Sequence, residues 1–180
     1  MTLPHGVVLT PLTPHRDDRG TFVEAFRASW STDIVPVQWN VVTSGAGVLR
    51  GVHVHRRHAD YLTVLAGAMV LGLHDLRRGS PTEGRSAMLT IEAEEPRAVT
   101  IPPGVAHGFC FPVPSVHLYA VSHYWNKADE LGCRYDDPDL GLDWPITEPM
   151  LSPRDAAAGT LAEMERAYEE PAYQAEPVPA

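Results

Sequence analysis

The chain has 180 residues, long enough for one well-buried domain and short for two. Hydrophobic residues make up 44% and charged residues 21%, an ordinary globular balance. A net charge of -9 argues against a nucleic-acid partner, which needs a basic footprint, but not against a phosphorylated small molecule held by a few local arginines.

The 17 prolines and 14 glycines recur at short intervals, a pattern of short strands joined by turns. In chain order the predicted strands are Gly6–Leu9, Thr21–Phe26, Val37–Thr43, Val48–His55, Tyr61–Ala66, Met69–Asp75, Ser86–Ile91, Arg97–Ile101, His107–Phe111 and His117–Trp125. Turn signals stand at Ser44–Gly47, Arg77–Pro81, Pro102–Gly104 and Pro112–Ser115. An antiparallel sandwich or barrel follows. Toward the C-terminus, Ser152, Pro153 and Asp155 read as an N-cap, a first-turn proline and the acidic member of a capping box. Ala157, Leu161, Met164 and Tyr168 continue at helical spacing, interrupted by Gly159. Residues 171–180 read as a fraying tail, leaving 1–170 as the domain.

Cys110 and Cys133 lie far apart with no ligand-like spacing, so neither a disulfide framework nor a zinc knuckle is indicated. The N-terminal segment lacks a basic start followed by an apolar run, and no apolar stretch approaches the roughly 18 residues of a membrane span. A cytoplasmic protein is expected.

The chemistry concentrates between Gly47 and Gly67. His53 and His55 are two apart on a predicted strand and so face the same way. Asp60 follows five residues later, and His107 stands behind the turn at Pro102–Gly104. Three imidazoles and a carboxylate suit a divalent metal, and they equally suit acid–base chemistry without one. Arg56, Arg57 and His58 read as a solvated loop. His74, beside Asp75, reads either as a binding residue or as a core histidine. His117, Tyr119 and His123 alternate on one face of their predicted strand, which places two imidazoles near the tyrosine.

Eight blocks then occur in one order: DDRGTFVEAFR, QWN, GVLRGVH, DLRRGSPT, IPPGVAHGF, LYAVSHYW, DDPDLGLDWP and LSPRDAAA. From about Leu12 to Ala158 the chain resembles the dTDP-4-dehydrorhamnose 3,5-epimerase family of nucleotide-sugar epimerases. The resemblance implies an all-β cupin (jelly-roll) barrel with a short C-terminal helical segment, usually a homodimer. It also implies an enzyme that inverts C3, C5 or both in a dTDP-4-keto-6-deoxy sugar, without a cofactor. By the same resemblance His53 matches the catalytic base, Tyr119 the general acid, and Asp155 the carboxylate orienting the histidine. Arg19, Phe22 and Glu24 match a nucleotide-contacting element often supplied by the partner subunit. Gln38, Asn40 and Arg50 match residues holding the diphosphate and sugar, and His107 a histidine lining the site.

One position departs from the family pattern. A lysine normally follows the catalytic histidine and stabilises the enolate oxygen; alignment on Gly67 puts Asp60 there. An anion at that place opposes the developing oxyanion. His53, His55, Asp60 and His107 together fit the general metal-cupin pattern instead, in which a divalent cation takes the electrophile's part. Two further functions therefore stand beside the epimerase: a metal-dependent cupin isomerase or dioxygenase, and a catalytically silent homologue that binds the sugar nucleotide.

Overall fold

Short runs of Val, Leu, Ile and aromatic residues, separated by glycine and proline turns, give twelve strands and two short α-helices among the described residues. The structure, a computed structural model, describes residues 2–30, 32, 34–126 and 129–169. The strands are β1 Val8–Pro11, β2 Pro14–Asp17, β3 Gly20–Val23, β4 Gln38–Ser44, β5 Val48–His55, β6 Asp60–Ala66, β7 Ala68–Asp75, β8 Ser86–Glu92, β9 Arg97–Ile101, β10 Val105–Phe111, β11 Ser115–Val121 and β12 Glu130–Gly132. The helices are α1 Pro153–Ala156 and α2 Leu161–Glu169. Two five-stranded sheets, in the orders β1-β9-β6-β11-β4 and β12-β5-β10-β7-β8, make a cupin-type barrel, and β2 and β3 form a separate hairpin. Every pairing between these strands is antiparallel.

Each predicted strand has an observed counterpart, while β2 and β12 have no predicted one. β2 (Pro-His-Arg-Asp) carries no apolar alternation because it is mostly exposed, and β12 is three residues long and exists by pairing with β5. The predicted strand to Trp125 stops at Val121, and that to Phe26 stops at Val23. The predicted single helix is two. Ser152 caps α1, Ala157 is exposed rather than packed, and Thr160 with Glu163 opens α2 by a reciprocal capping box: Glu163 N–H donates to Thr160 Oγ1 and Thr160 N–H to Glu163 Oε2. Between the helices Gly159 bridges to Cys133 instead of continuing a helix. The expected tail 171–180 lies outside the described residues.

Strand alternation sorts side chains into layers. On β5, Val52 and Val54 point outward beneath a cover that includes Trp144, Leu161 and Met164, while His53 and His55 point between the sheets. Between the sheets, Leu62, Val64, Met69, Leu71, Leu73, Ile91, Val99, Ile101 and Phe111 fill one end of the barrel. On the opposite outer face Tyr61, Ala98 and Ala120 pack against Leu12 and Ile34.

Two local features position the site. Gly51 has φ +100°, and a Cβ there would lie 2.8 Å from the carbonyl oxygen of His107. Only glycine lets β5 approach β10 this closely, and the register then sets His53 directly opposite His107. The corner after β7 is held by Asp75, whose carboxylate accepts from Arg77 Nε at 2.7 Å, Ser80 Oγ at 2.6 Å and Thr82 Oγ1 at 2.6 Å. Nearby His74 is a core histidine: it donates from Nδ1 to Ser86 Oγ at 2.7 Å, and that hydroxyl donates onward to the Leu140 carbonyl.

Candidate active site

At the other end of the barrel the sheets enclose a cavity of about 250 Å³ instead of an apolar filling. β5 contributes Arg50, His53 and His55, β6 Asp60, β10 His107, and β11 His117 and Tyr119; Glu130 (β12), Arg154 and Asp155 (α1) close it from the C-terminal side.

His53 is held at both nitrogens. Nε2 lies 2.7 Å from Asp155 Oδ1 and Nδ1 lies 3.0 Å from Glu130 Oε1. Burial opposes protonation of this ring, but the two carboxylates outweigh it and raise the His53 pKa above its ordinary value. Asp155 is steadied by the α1 N-terminus, where its backbone N–H donates to Ser152 Oγ at 3.1 Å. Its carboxylate does not complete the expected capping box: Oδ1 turns to His53 and Oδ2 to the Gly51 N–H at 3.5 Å. Glu130 is anchored through Oε2, which accepts from Arg154 Nη1 at 2.6 Å and from the Trp125 indole N–H at 3.1 Å. Against the cost of burial, these partners and His53 hold both carboxyls below the usual range.

The remaining imidazoles differ. Burial lowers His58, His107 and His117 to about 4 and His55 to about 2, so all four are neutral at pH 7. Burial, then the charge of Glu130, raises the Asp60 pKa well above a normal carboxylate. Burial thus works against the bare anion expected at this position. Burial also raises Tyr119, which keeps its hydroxyl protonated.

The predicted residues thus divide. His53, Tyr119, Asp155, Arg50 and His107 line one cavity, with His55 and Asp60 beside them. Gln38 and Asn40 sit on β4 next to it, joined by a 2.9 Å hydrogen bond, with Asn40 in register with Tyr119. Arg19, Phe22 and Glu24 lie on or just after the exposed β2–β3 hairpin and do not line the cavity; Arg19 pairs with Asp17 and Glu24 with Arg27. The alternative metal set is corrected at His53, because both of its nitrogens are engaged by carboxylates. His58, expected in a solvated loop, is buried and faces the cavity, whereas His123, expected beside Tyr119, is exposed beyond the end of β11. Glu130 lies in a stretch without periodicity or motif, whereas Arg154 and Trp125 stand inside the blocks LSPRDAAA and LYAVSHYW, where no role was expected of them.

The cupin-type barrel thus holds a carboxylate-clamped histidine on one sheet and a partly buried tyrosine on the facing sheet, residue types able to exchange protons. The comparisons name the family: the profile of the dTDP-4-dehydrorhamnose 3,5-epimerases matches residues 2–163. The chain belongs to that family, whose members are enzymes of the isomerase class. It is 34% identical to the dTDP-4-dehydrorhamnose 3,5-epimerase of Mycobacterium tuberculosis over 91% of this chain and 87% of that one. It is 36% identical to that of Neisseria gonorrhoeae over 83% of this chain, which spans about half (48%) of the Neisseria protein. Among solved structures, the 3,5-epimerase of Legionella pneumophila with dTDP-4-keto-L-rhamnose superposes with TM-score 0.86 at 33% identity, covering 97% of each chain. A 3'-monoepimerase of Streptomyces bikiniensis with dTDP-quinovose gives 0.84 at 34% identity, covering 91% of this chain and 88% of the other.

Proposed function

We propose that the protein epimerises a dTDP-4-keto-6-deoxy sugar at C3, C5 or both, with His53 as base, Tyr119 as acid and Asp155 as the orienting carboxylate. The observation that carries this reading is the Asp155–His53–Glu130 clamp facing Tyr119 across the cavity. A proton alpha to a ketone is weakly acidic, and its removal needs a base held in a fixed orientation. Asp155 holds Nε2. Nδ1 is the nitrogen that meets the substrate, after Glu130 exchanges its contact with the ring for a sugar hydroxyl while keeping Arg154 and Trp125. His53 takes the C–H proton, the electron pair moves onto the C4 oxygen as an enolate, and Tyr119 returns a proton to the opposite face. The tyrosinate left behind recovers its proton from solvent and His53 loses its own, so the enzyme is unchanged. This route uses no cofactor.

The cavity, about 250 Å³, is smaller than the roughly 300–1,000 Å³ of complete small-molecule sites. It takes the sugar ring, and the nucleotide lies outside, across Arg50 toward Trp125, whose indole is half exposed. Gln38, Asn40 and His107 complete the sugar and diphosphate contacts. Arg19, Phe22 and Glu24 serve the cavity of a second copy in a homodimer. That arrangement is supported by edge strand β4, along which Trp39 and Val41 present an exposed apolar face. No helix among the described residues is long and apolar enough to cross a membrane; with buried, unpaired Cys110 and Cys133, a cytoplasmic setting is the reading we adopt.

Incubation with dTDP-4-keto-6-deoxyglucose in deuterated water tests the proposal. Label is expected at C3, C5 or both, and His53→Asn should slow its entry by about 10²–10⁴-fold. Undiminished exchange in that variant rejects His53 as the base. Binding of the dTDP-sugar without any exchange in the unmodified protein makes it a silent homologue.

A further inference from the structure

Proton transfer between His53 and Tyr119 places a negative charge on the C4 oxygen of the sugar, which calls for a hydrogen-bond donor beside it. Several polar groups lining the cavity cannot supply one without breaking a contact. Arg50 is drawn to β4, donating from Nε to Ser44 Oγ at 3.1 Å and from Nη2 to the Thr43 carbonyl at 3.3 Å. Arg154 is spent on Glu130. His107 donates from Nδ1 to the Val105 carbonyl at 3.1 Å, so its Nε2 presents a lone pair to the cavity.

Asp60 is differently placed. It is 4% exposed, and its Oδ2 has no hydrogen-bond partner among the described residues. His58 Nε2 at 3.7 Å and His107 Nε2 at 3.8 Å are too distant for hydrogen bonds, and both rings are neutral at pH 7. No arginine or lysine among the described residues pairs with this carboxyl. A sealed carboxylate without a donor or a cation is strongly disfavoured, and it would set two acceptors, Asp60 Oδ2 and His107 Nε2, against each other. A proton on Asp60 removes both conflicts and makes the carboxyl a donor. An acid kept neutral by burial can donate to an enolate oxygen at pH 7.

The register puts that donor beside the reacting atoms. Asp60 pairs with Val121 across β6 and β11, and Tyr119 is two residues from Val121, so Asp60 and Tyr119 face between the sheets together. On the facing sheet His107 pairs with His53. Two facing pairs result, His53 with His107 and Tyr119 with Asp60. In an enolate the proton leaves and returns perpendicular to the plane that contains the C4 oxygen. A ring held between His53 and Tyr119 therefore points that oxygen sideways, and Asp60 stands on one such side.

We propose that Asp60, as the neutral acid, is a catalytic residue that donates a hydrogen bond to the C4 oxygen of the substrate as the enolate forms. This rests on the epimerase reading above. The proton stays on Asp60 throughout: the electron pair released at C3 or C5 moves to the C4 oxygen, and Tyr119 supplies the returning proton.

Two measurements test it. Asp60→Ala should slow deuterium entry into dTDP-4-keto-6-deoxyglucose by about 10²–10³-fold. Asp60→Asn, whose amide also donates, should recover most of that loss, which a carboxylate acting by its charge would not allow. Infrared spectra of the same sugar, isotopically labelled at C4 and bound to His53→Asn so that it does not turn over, read the contact directly. The C4 carbonyl stretch should fall below its frequency in solution and return toward it in the His53→Asn, Asp60→Ala double variant. A stretch indifferent to Asp60→Ala overturns the proposal, as does Asp60→Asn exchanging no faster than Asp60→Ala. An Asp60-dependent shift without exchange in the unmodified protein rejects the epimerase reading and leaves Asp60 as the carbonyl's donor. Exchange without that shift does the reverse, and a sugar that does not bind overturns both.

Discussion

The two ends of the barrel interior are built by the same strands and behave oppositely. β6 sends Leu62 and Val64 into the apolar end and Asp60 into the cavity, and β10 sends Phe111 to one and His107 to the other. At the apolar end each fully buried aliphatic or aromatic side chain contributes about 1.5–3 kcal/mol. At the polar end burial works against the fold, as the unpartnered Asp60, His55 and His117 atoms show. Position along a strand, not the strand itself, therefore decides whether an inward residue stabilises or reacts. The apolar end holds the sheets at a fixed spacing and so maintains the separation at which His53 and Tyr119 face each other.

Three substitutions separate the two ends. The largest effect is expected for Asp155→Asn, which keeps the backbone contact to Ser152 but removes the charge at His53 Nε2. Deuterium exchange should fall by about 10²–10⁴-fold, mostly in kcat rather than KM, with the fold retained by circular dichroism. An equal loss in a denaturation midpoint would move Asp155 into the structural half. Next comes Leu71→Ala at the other end, where Leu71 is fully buried. It should cost about 2–5 kcal/mol of stability, lowering Tm by on the order of 10 °C, while the exchange rate per folded molecule stays unchanged. A lowered exchange rate would show that the ends are coupled more tightly than their separate packing suggests.

The smallest effect is expected for Glu130→Gln, read in pH dependence. The base must be neutral to act, and both carboxylates raise the His53 pKa, so the acid limb of exchange should lie above pH 6.5. Removing the Glu130 charge lowers that pKa and moves the limb to lower pH. Stability carries the same sign. A raised histidine contributes fully below pH 6.5 and loses that contribution as pH rises through its folded pKa. The depressed carboxylates contribute above their ordinary values near 4 and lose it as pH falls. The variant's deficit in Tm should thus be greatest between about pH 4.5 and 6.5 and shrink above that. An unmoved acid limb would remove Glu130 from the histidine's electrostatics.

Much of this architecture is legible in the residue pattern alone. Alternation locates β5 to β10 nearly to the residue, because their side chains divide cleanly between covered faces. Spacing alone assigns His53 and His55 to one face, and they do share it. β2 escapes because an exposed hairpin needs no apolar pattern, and β12 because three residues show no period. The C-terminal segment reads as one continuous helix because Leu161, Met164 and Tyr168 do lie on one stripe; the break at Gly159 depends on its contact with Cys133, a partner 26 positions earlier by their numbers. His58 beside two arginines resembles a solvated loop, and only the chain's return into the barrel buries it.

What the sequence determined by itself is therefore the class of the molecule: the short strands of an antiparallel barrel and, through blocks in order, a resemblance to an epimerase family that singles out His53, Tyr119 and Asp155. Local alternation and residue identity suffice for that. Which groups hold His53, which leave Asp60 without a partner, and which histidine turns toward Asp60 were decided by tertiary structure. Those outcomes depend on distances between segments about 50 to 100 residues apart, set by sheet register and the close approach at Gly51. Spacing along the chain carries no record of such distances.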